Sequence, residues 1–327
     1  MITCVTRPES WALIEPFVIA RGSSTEVAVL VAELADEQGH VGRGEAAGVD
    51  YDGETPMSMA RQIEAVAHAL DDALDGEHLR RLMPPGGARN ALDCALWDLR
   101  AKQSGVPAWR TAGFAELKPV TTVFTIGLGD VATTRRKARE SGAYPILKLK
   151  VDAERHLDVV RIVREERPQA RLIVDANQGW SRALLERLLA PLAELGVELI
   201  EQPLPRGEEA ALDGLRAAVP LGADESCTDR TSLAALAGHY EYVNIKLDKC
   251  GGLTEALAMV REARRLGLGL MTGNMCGTSL AMAPAFLIAQ VCRYVDLDGP
   301  LLQRHDRDPP LRFAGAVMYP PEPALWG

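Results

Sequence analysis

The 327-residue chain is 47% hydrophobic and 25% charged, the composition of a globular protein with a sizeable core. A net charge of −9 and a pI near 5.3 argue against nucleic acid or an anionic membrane surface as the main partner. No apolar run is long enough to span a bilayer, and the opening MITCVTRPESW lacks a hydrophobic leader segment.

Six cysteines (Cys4, Cys94, Cys227, Cys250, Cys276, Cys292) show no CxxC spacing, which suggests a reducing cytoplasm and small buried thiols. Cys276 differs from the rest in sitting beside glycines in a loop. In the first third, TEVAVLVAEL (25–34) and HVGRGEA (40–46) read as antiparallel strands around a DEQG turn. SMARQIEAVAHALDDAL (58–74) and ARNALDCALWDLRAKQSG (88–105) have helical periodicity, with MPPGGA (83–88) a loop between them. Strands followed by helices predict a segregated α+β unit, ending near residues 106–118.

From residue 119 the pattern changes to short apolar runs alternating with helix-length segments: VTTVFTIGL, ILKLKV, RLIVDAN, VELIEQP, VPLGADES, YVNIKLD, LGLMTGN and YVDLDGP. The polar residues closing the second run onward are Lys150, Asp175, Glu201, Asp224, Lys246, Asn274 and Asp298, spaced 22 to 28 residues apart. A strand-then-helix period in the mid-twenties predicts a parallel (β/α) barrel, whose strand ends form one rim carrying the chemistry. A doubly wound open sheet is the alternative, without a GxGxxG after a first strand to favour it.

Asp175, Glu201 and Asp224 close three successive strands. Gathered at one mouth they repel one another, and a hard divalent cation relieves this; Mg²⁺ suits an all-oxygen set, and residue type does not exclude Mn²⁺. In ILKLK (146–150), Lys148 and Lys150 share one strand face, and a buried lysine pair is costly unless carboxylates meet it. Lys246 closes the sixth run, opposite the second in an eight-stranded barrel, so the carboxylates lie between amines on two sides.

K-x-K at 148–150, DAN, EQP, ADES and NIK followed by GG, in this order and spacing, resemble the muconate-lactonising subgroup of the enolase superfamily over the whole chain. The D-x-D of Asp296 and Asp298 in VDLDGP resembles the dipeptide epimerases of the L-Ala-D/L-Glu type, which place it at the eighth strand against the substrate's α-ammonium. The mandelate-racemase subgroup uses a seventh-strand histidine; here that strand ends LMTGNMCGTS, and His305, beyond the eighth strand, reads as structural.

The resemblance implies a modified (β/α)7β TIM barrel over 116–302. It also implies an α+β cap over 1–115, to which the tail 303–327 returns. It implies a metal-dependent 1,1-proton transfer through an enediolate, with Lys150 and Lys246 as the two bases and one Mg²⁺ (or Mn²⁺) per subunit on Asp175, Glu201 and Asp224. Lys148 is expected to lower the pKa of Lys150 by like-charge repulsion. IARGSS (19–24) resembles the family's closing loop, with Arg21 placed to clamp an acidic side chain, and Thr125 is a candidate contact for the substrate carboxylate. A homo-oligomer acting on a small molecule is expected. The rivals are an N-acylamino-acid racemase (N-acetylglutamate, for example), an o-succinylbenzoate synthase-like lyase, and a non-catalytic metal-binding barrel.

Overall fold

In the computed structural model, which describes residues 2–19, 22–71 and 73–327, the chain opens with a three-stranded antiparallel sheet of order β1 (Thr3–Ile19), β2 (Gly22–Ala35) and β3 (Val41–Ala46). The long β1 was not foreseen. It is an edge strand with mostly solvated side chains, so its sequence lacks an apolar stripe, and Pro8 is tolerated because an edge strand need not donate on both sides. A bulge between Ala12 and Phe17 bends β1, and Leu13 bridges to Gln303 beyond the barrel. Helix α1 (Pro56–Val66) starts on a capping box of Thr55 and Ser58 and is shorter than its periodicity suggested, giving way to a 3-10 turn at Ala67–Ala69. Helix α2 (Gly76–Leu82) precedes α3 (Gly87–Ser104), which packs on β3; a one-turn helix α4 (Ala108–Thr111) follows.

The first barrel run divides in two. Val120–Thr121 (β4) joins a small sheet with β13 (Phe313–Ala314) and β14 (Val317–Met318), and Phe124–Ile126 (β5) enters the barrel. There follow α5 (Val131–Glu140), β6 (Ile146–Lys150), α6 (Leu157–Glu166), β7 (Arg171–Asp175), α7 (Arg182–Glu194), β8 (Val197–Glu201) and β9 (Leu221–Ala223). Then come α8 (Leu233–Leu236), β10 (Tyr242–Ile245), α9 (Leu247–Cys250), α10 (Leu253–Arg265), β11 (Gly269–Thr272), α11 (Ser279–Ala289) and β12 (Tyr294–Val295). Strands β5 to β12 form one parallel sheet in chain order. It curls until its edges meet: the Val123 N–H donates to the Val295 carbonyl at 2.8 Å, and the Leu297 N–H donates to Thr122 Oγ1 at 3.0 Å.

Two crossovers depart from the expected helices. Between β8 and β9 there is only a 3-10 turn at Glu209–Leu212, because Pro203, Pro205, Gly207 and Gly214 interrupt the segment. Between β9 and β10 the four-residue α8 suffices.

The interior of the ring is layered. Val123, Ile146, Ile173, Leu199, Met271 and Tyr294 form an apolar floor. Two residues further along β6, β7 and β8, on the same face, stand Lys148, Asp175 and Glu201, each at most 1% exposed. The tail returns to the first third: Trp326 Nε1 donates to the Cys94 carbonyl at 3.0 Å, and the Gly327 N–H to Asp98 Oδ1 at 2.8 Å.

Candidate active site

Parallel strands in register bring the rim residues together: Lys150 lies opposite Asp175, and Asp175 opposite Glu201. Asp175, Glu201 and Asp224 each present a carboxylate oxygen within 4.8 Å of the others, and all three are buried. Asp175 Oδ2 pairs with Lys150 Nζ at 2.7 Å and Lys148 Nζ at 3.0 Å. Asp224 Oδ2 pairs with Lys246 Nζ at 2.8 Å. Glu201 Oε1 accepts from Asn244 Nδ2 at 2.8 Å and Lys148 Nζ at 3.0 Å. Its Oε2 is ion-paired with Lys148 Nζ at 2.9 Å but makes no hydrogen bond. A buried carboxylate oxygen without a hydrogen bond, in an all-carboxylate set, suits a hard oxygen-seeking cation.

The electrostatics follow from burial against pairing. Burial pushes the Asp175 carboxyl up, but Lys148 and Lys150 outweigh it and hold it below the usual carboxylate range. Asp224 is held well below that range, against its burial, by Lys246 and Lys249. Glu201 goes the other way, pushed up to about 7 by burial that Lys148 only partly offsets, with Asp175 and Asp224 adding to it. Burial opposes the charge of Lys246, but Asp224 raises its pKa above the ordinary lysine value.

The Lys148 ammonium, 1% exposed, is engaged by Asp175, by Glu201 and by Asp296 Oδ2 at 2.8 Å, so its charge is shared among three carboxylates. The D-x-D residues also separate. Asp296 keeps Oδ1 without a hydrogen bond, whereas Asp298 Oδ2 accepts the Thr125 backbone N–H at 2.7 Å. Burial, reinforced by Asp296, pushes Asp298 up to about 7. Thr125 is thus tied to Asp298 through its backbone. Arg21 lies outside the described residues.

Residues that sequence reasoning missed complete the centre. Lys249 Nζ reaches Asp224 Oδ1 at 2.6 Å, the Asn244 carbonyl at 3.1 Å and the Asp224 carbonyl. The signal was the K-x-x-K of residues 246–249, which one turn of helix (α9) folds inward on to one carboxylate. Gln202 Oε1 accepts the N–H groups of Asp224 and Ser226 at 2.9 and 3.2 Å. Asn177, Gln178, Gln202 and Cys276 all take left-handed backbone conformations just past strand ends, at the rim where strain tends to be stored. The GG after Lys246 has a steric origin: a Cβ on Gly251 would fall 2.4 Å from Arg89 Nε and one on Gly252 2.5 Å from Asp93 Oδ2, both on α3.

Beside that joint, Asp248 Oδ1 accepts the Gly48 N–H at 2.9 Å. Burial pushes its carboxyl up to about 7, the Gly48 N–H opposing and Glu54 and Glu45 adding. The folded chain therefore keeps a proton that the unfolded chain has released, so the contribution of Asp248 to stability falls as pH rises from about 4 to about 7. Asp248→Asn is expected to flatten this part of the stability profile, by at most about 1.4 kcal/mol per pH unit. Denaturant melts at pH 5, 6 and 7 measure it; an unchanged slope means Asp248 is ionised throughout.

Three buried carboxylates that could hold a cation are thus paired with a lysine closing the second barrel strand and a lysine directly after the sixth. Residues 130–324 match the family model "Enolase C-terminal domain-like" and residues 1–113 the model "Mandelate racemase / muconate lactonizing enzyme, N-terminal domain". The chain belongs to this family of the enolase superfamily, and it is an isomerase of the epimerase and racemase kind. It is 42% identical over 314 residues to an L-Ala-D/L-Glu epimerase of Escherichia coli (strain K12), covering 95% of this chain and 97% of the relative. It is 40% identical over 284 residues to an N-acetyl-D-glutamate racemase of Pseudoalteromonas sp., covering 85% and 88%. Among solved structures, an enolase family member from Agrobacterium tumefaciens with homology to dipeptide epimerases, with bound sodium and L-Ala-L-Glu, superposes over 100% of both chains with a TM-score of 0.97 at 43% identity. A dipeptide epimerase from Methylococcus capsulatus complexed with Mg and L-Arg-D-Lys does so over 98% of this chain and 97% of its own, with a TM-score of 0.90 at 31% identity. Among the described residues, no helix is long and apolar enough to cross a membrane.

Proposed function

We propose that the chain epimerises dipeptides of the L-Ala-D/L-Glu kind, moving the α-proton of the C-terminal residue between Lys150 and Lys246. One observation carries this reading. Lys150 closes the second and Lys246 directly follows the sixth of eight parallel strands whose edges meet, each 2.7–2.8 Å from a different member of one buried carboxylate triad. A substrate carboxylate seated at the triad leaves its α-carbon between the two amines. Lys150 takes the proton on one face and Lys246 returns one on the other; in reverse they exchange roles, and the product differs only at that centre. A proton next to a carboxylate is weakly acidic, so stabilising the developing charge is the largest requirement. When bound by Asp175, Glu201 and Asp224, one Mg²⁺ or Mn²⁺ per subunit supplies that stabilisation. Lys148 keeps the carboxylates apart in charge and together in space. The test is incubation of L-Ala-L-Glu with the protein and Mg²⁺ in D₂O, with α-deuterium and the second epimer as the expected products.

The same lysines serve the rivals, racemisation of an N-acylated amino acid such as N-acetylglutamate and an o-succinylbenzoate synthase-like elimination. The unpartnered Oδ1 of Asp296 favours the dipeptide, because a buried free carboxylate oxygen suits a substrate ammonium and an acylated nitrogen carries none. We read residues 1–115 with the tail 303–327 as the cap and 116–302 as the barrel, with the Trp326 and Gly327 bonds to α3 in support. Six free cysteines suit the cytoplasm, and a homo-oligomer is expected by analogy with other barrels, with light scattering as its check.

Mg²⁺ is expected to raise the melting temperature by a few degrees at about 100 times its Kd. Glu201→Gln should remove most of that rise; its amide oxygen can still accept from Asn244 and Lys148, and circular dichroism checks that the variant folds. A full Mg²⁺ response in Glu201→Gln would take Glu201 out of the metal set.

A further inference from the structure

Outside the triad, a largely buried polar cluster joins β1 and β3 to the loop that follows β11. Glu45, near the end of β3, is 1% exposed. Its Oε1 accepts the Thr278 N–H at 2.7 Å and its Oε2 accepts the Thr278 hydroxyl. Arg307 donates to the same Oε2 from Nη2 at 2.6 Å and from Nε at 3.1 Å, and to Thr278 Oγ1 at 2.9 Å. On its other side Arg307 pairs with Glu9 at 2.7 Å and lies 4.6 Å from the Trp11 ring, both on β1. Thr278 is the N-cap of α11, so this cluster fixes the far end of the loop 273–278.

The near end of that loop reaches the reaction centre. Met275 Sδ is 3.9 Å from Lys246 Nζ. Asn274 Nδ2 donates to the Asp296 carbonyl at 2.7 Å, Asn274 Oδ1 accepts the Cys276 N–H at 2.6 Å, and Gln303 Nε2 donates to the Cys276 carbonyl at 2.9 Å. Cys276 is held at φ +66, which is unfavourable for a residue with a Cβ and persists only where its surroundings impose it. The loop is thus tied to the D-x-D strand, to the segment after it and, through Glu45, to β3. From Trp11, β1 runs on to Ile19, the first residue of the IARGSS stretch.

We propose that Glu45 and Arg307 are positioning residues that couple the seating of β1 and β3 to the loop 273–278, and so set which substrate side chain is accepted beside Lys246. An apolar joint would hold the two parts together as well, since replacing buried ion pairs by packed hydrophobes is often neutral or stabilising. What a fully hydrogen-bonded carboxylate adds is one geometry: Thr278 is held at both its N–H and its hydroxyl, and a shift of β1 moves Arg307 and the Glu45 oxygen with it. Burial pushes the Glu45 carboxyl up, and Arg307 and the Thr278 donors pull against this, so the ion pair depends on both sides staying in place. This inference rests on the epimerase reading for its substrate but not for its geometry.

The test compares kcat/KM for L-Ala-L-Glu and L-Ala-L-Leu in wild type, Glu45→Gln, Arg307→Met, the double variant and the milder Glu9→Gln, which loosens only the outer anchor of Arg307. Hydrogen exchange of amides 273–278 is followed in parallel. The expected result is an approximately fivefold change in the Glu/Leu ratio in Glu45→Gln and in Arg307→Met, with the double variant no worse than either alone. Loop amides should exchange faster while the barrel strands keep their protection. If neither the ratio nor the loop exchange responds in any folded variant, Glu9→Gln included, or if Glu45→Gln and Arg307→Met add independently, the coupling is wrong. If wild type turns over neither dipeptide while the loop exchange still responds, the substrate reading fails and the coupling stands.

Discussion

Lys150→Ala and Lys246→Ala are each expected to abolish epimerisation, with kcat falling at least about 10³-fold. The reason is geometric. On the proposed scheme each lysine serves one face of the α-carbon, and neither neighbouring lysine is free to replace it: Lys148 is engaged by Asp175, Glu201 and Asp296, and Lys249 by Asp224 and two carbonyls. Removing Lys150 leaves Asp175 paired with Lys148, and removing Lys246 leaves Asp224 paired with Lys249, so neither variant strands a buried carboxylate without a cation. In D₂O the surviving lysine should still exchange the α-hydrogen it faces, so a variant exchanges one epimer without forming the other. Proton NMR of L-Ala-L-Glu and L-Ala-D-Glu, incubated separately, reads both outcomes. Near wild-type epimerisation in either variant would end the two-base scheme.

Asp296→Gly is expected to lower kcat/KM for L-Ala-L-Glu about 30- to 160-fold, the worth of a charge-assisted hydrogen bond of about 2–3 kcal/mol. Turnover of N-acetyl-L-glutamate, which has no ammonium, should change less than about threefold on the same account. The structure makes the comparison informative. Asp296 has two oxygens with different fates: Oδ2 is bound by Lys148, and Oδ1 is buried without a hydrogen bond. If Oδ1 receives the substrate ammonium, the loss is confined to dipeptides. If Asp296 matters only as an anchor for Lys148, both substrates suffer equally, because Lys148 also braces Asp175 and Glu201. Steady-state rates on the two compounds separate these cases, and equal losses would remove the ammonium role from Asp296.

Much of this centre was legible in the amino-acid order, for a specific reason. A strand buried on both faces reads as an apolar run, so a charged residue closing each run stands out. Lys150, Asp175, Glu201, Asp224 and Lys246 did so at a period that only consecutive strand-and-crossover units produce. Register then carried them to one rim without further choice. The crossover between β8 and β9 was misjudged because length alone suggested a helix where prolines and glycines forbid one. Strand β1 was missed because an edge strand with a solvated face carries little apolar periodicity.

What only the tertiary structure decided are pairings between residues far apart in the chain. Lys148 meets Asp296 across 148 positions, Thr125 meets Asp298 across 173, and Glu45 meets Thr278 across 233. Local periodicity tells which face a side chain takes, and so foretells that Lys148 is buried. Which carboxylate neutralises it depends on how far the sheet curls and where its edges join, and no short-range pattern encodes that closure.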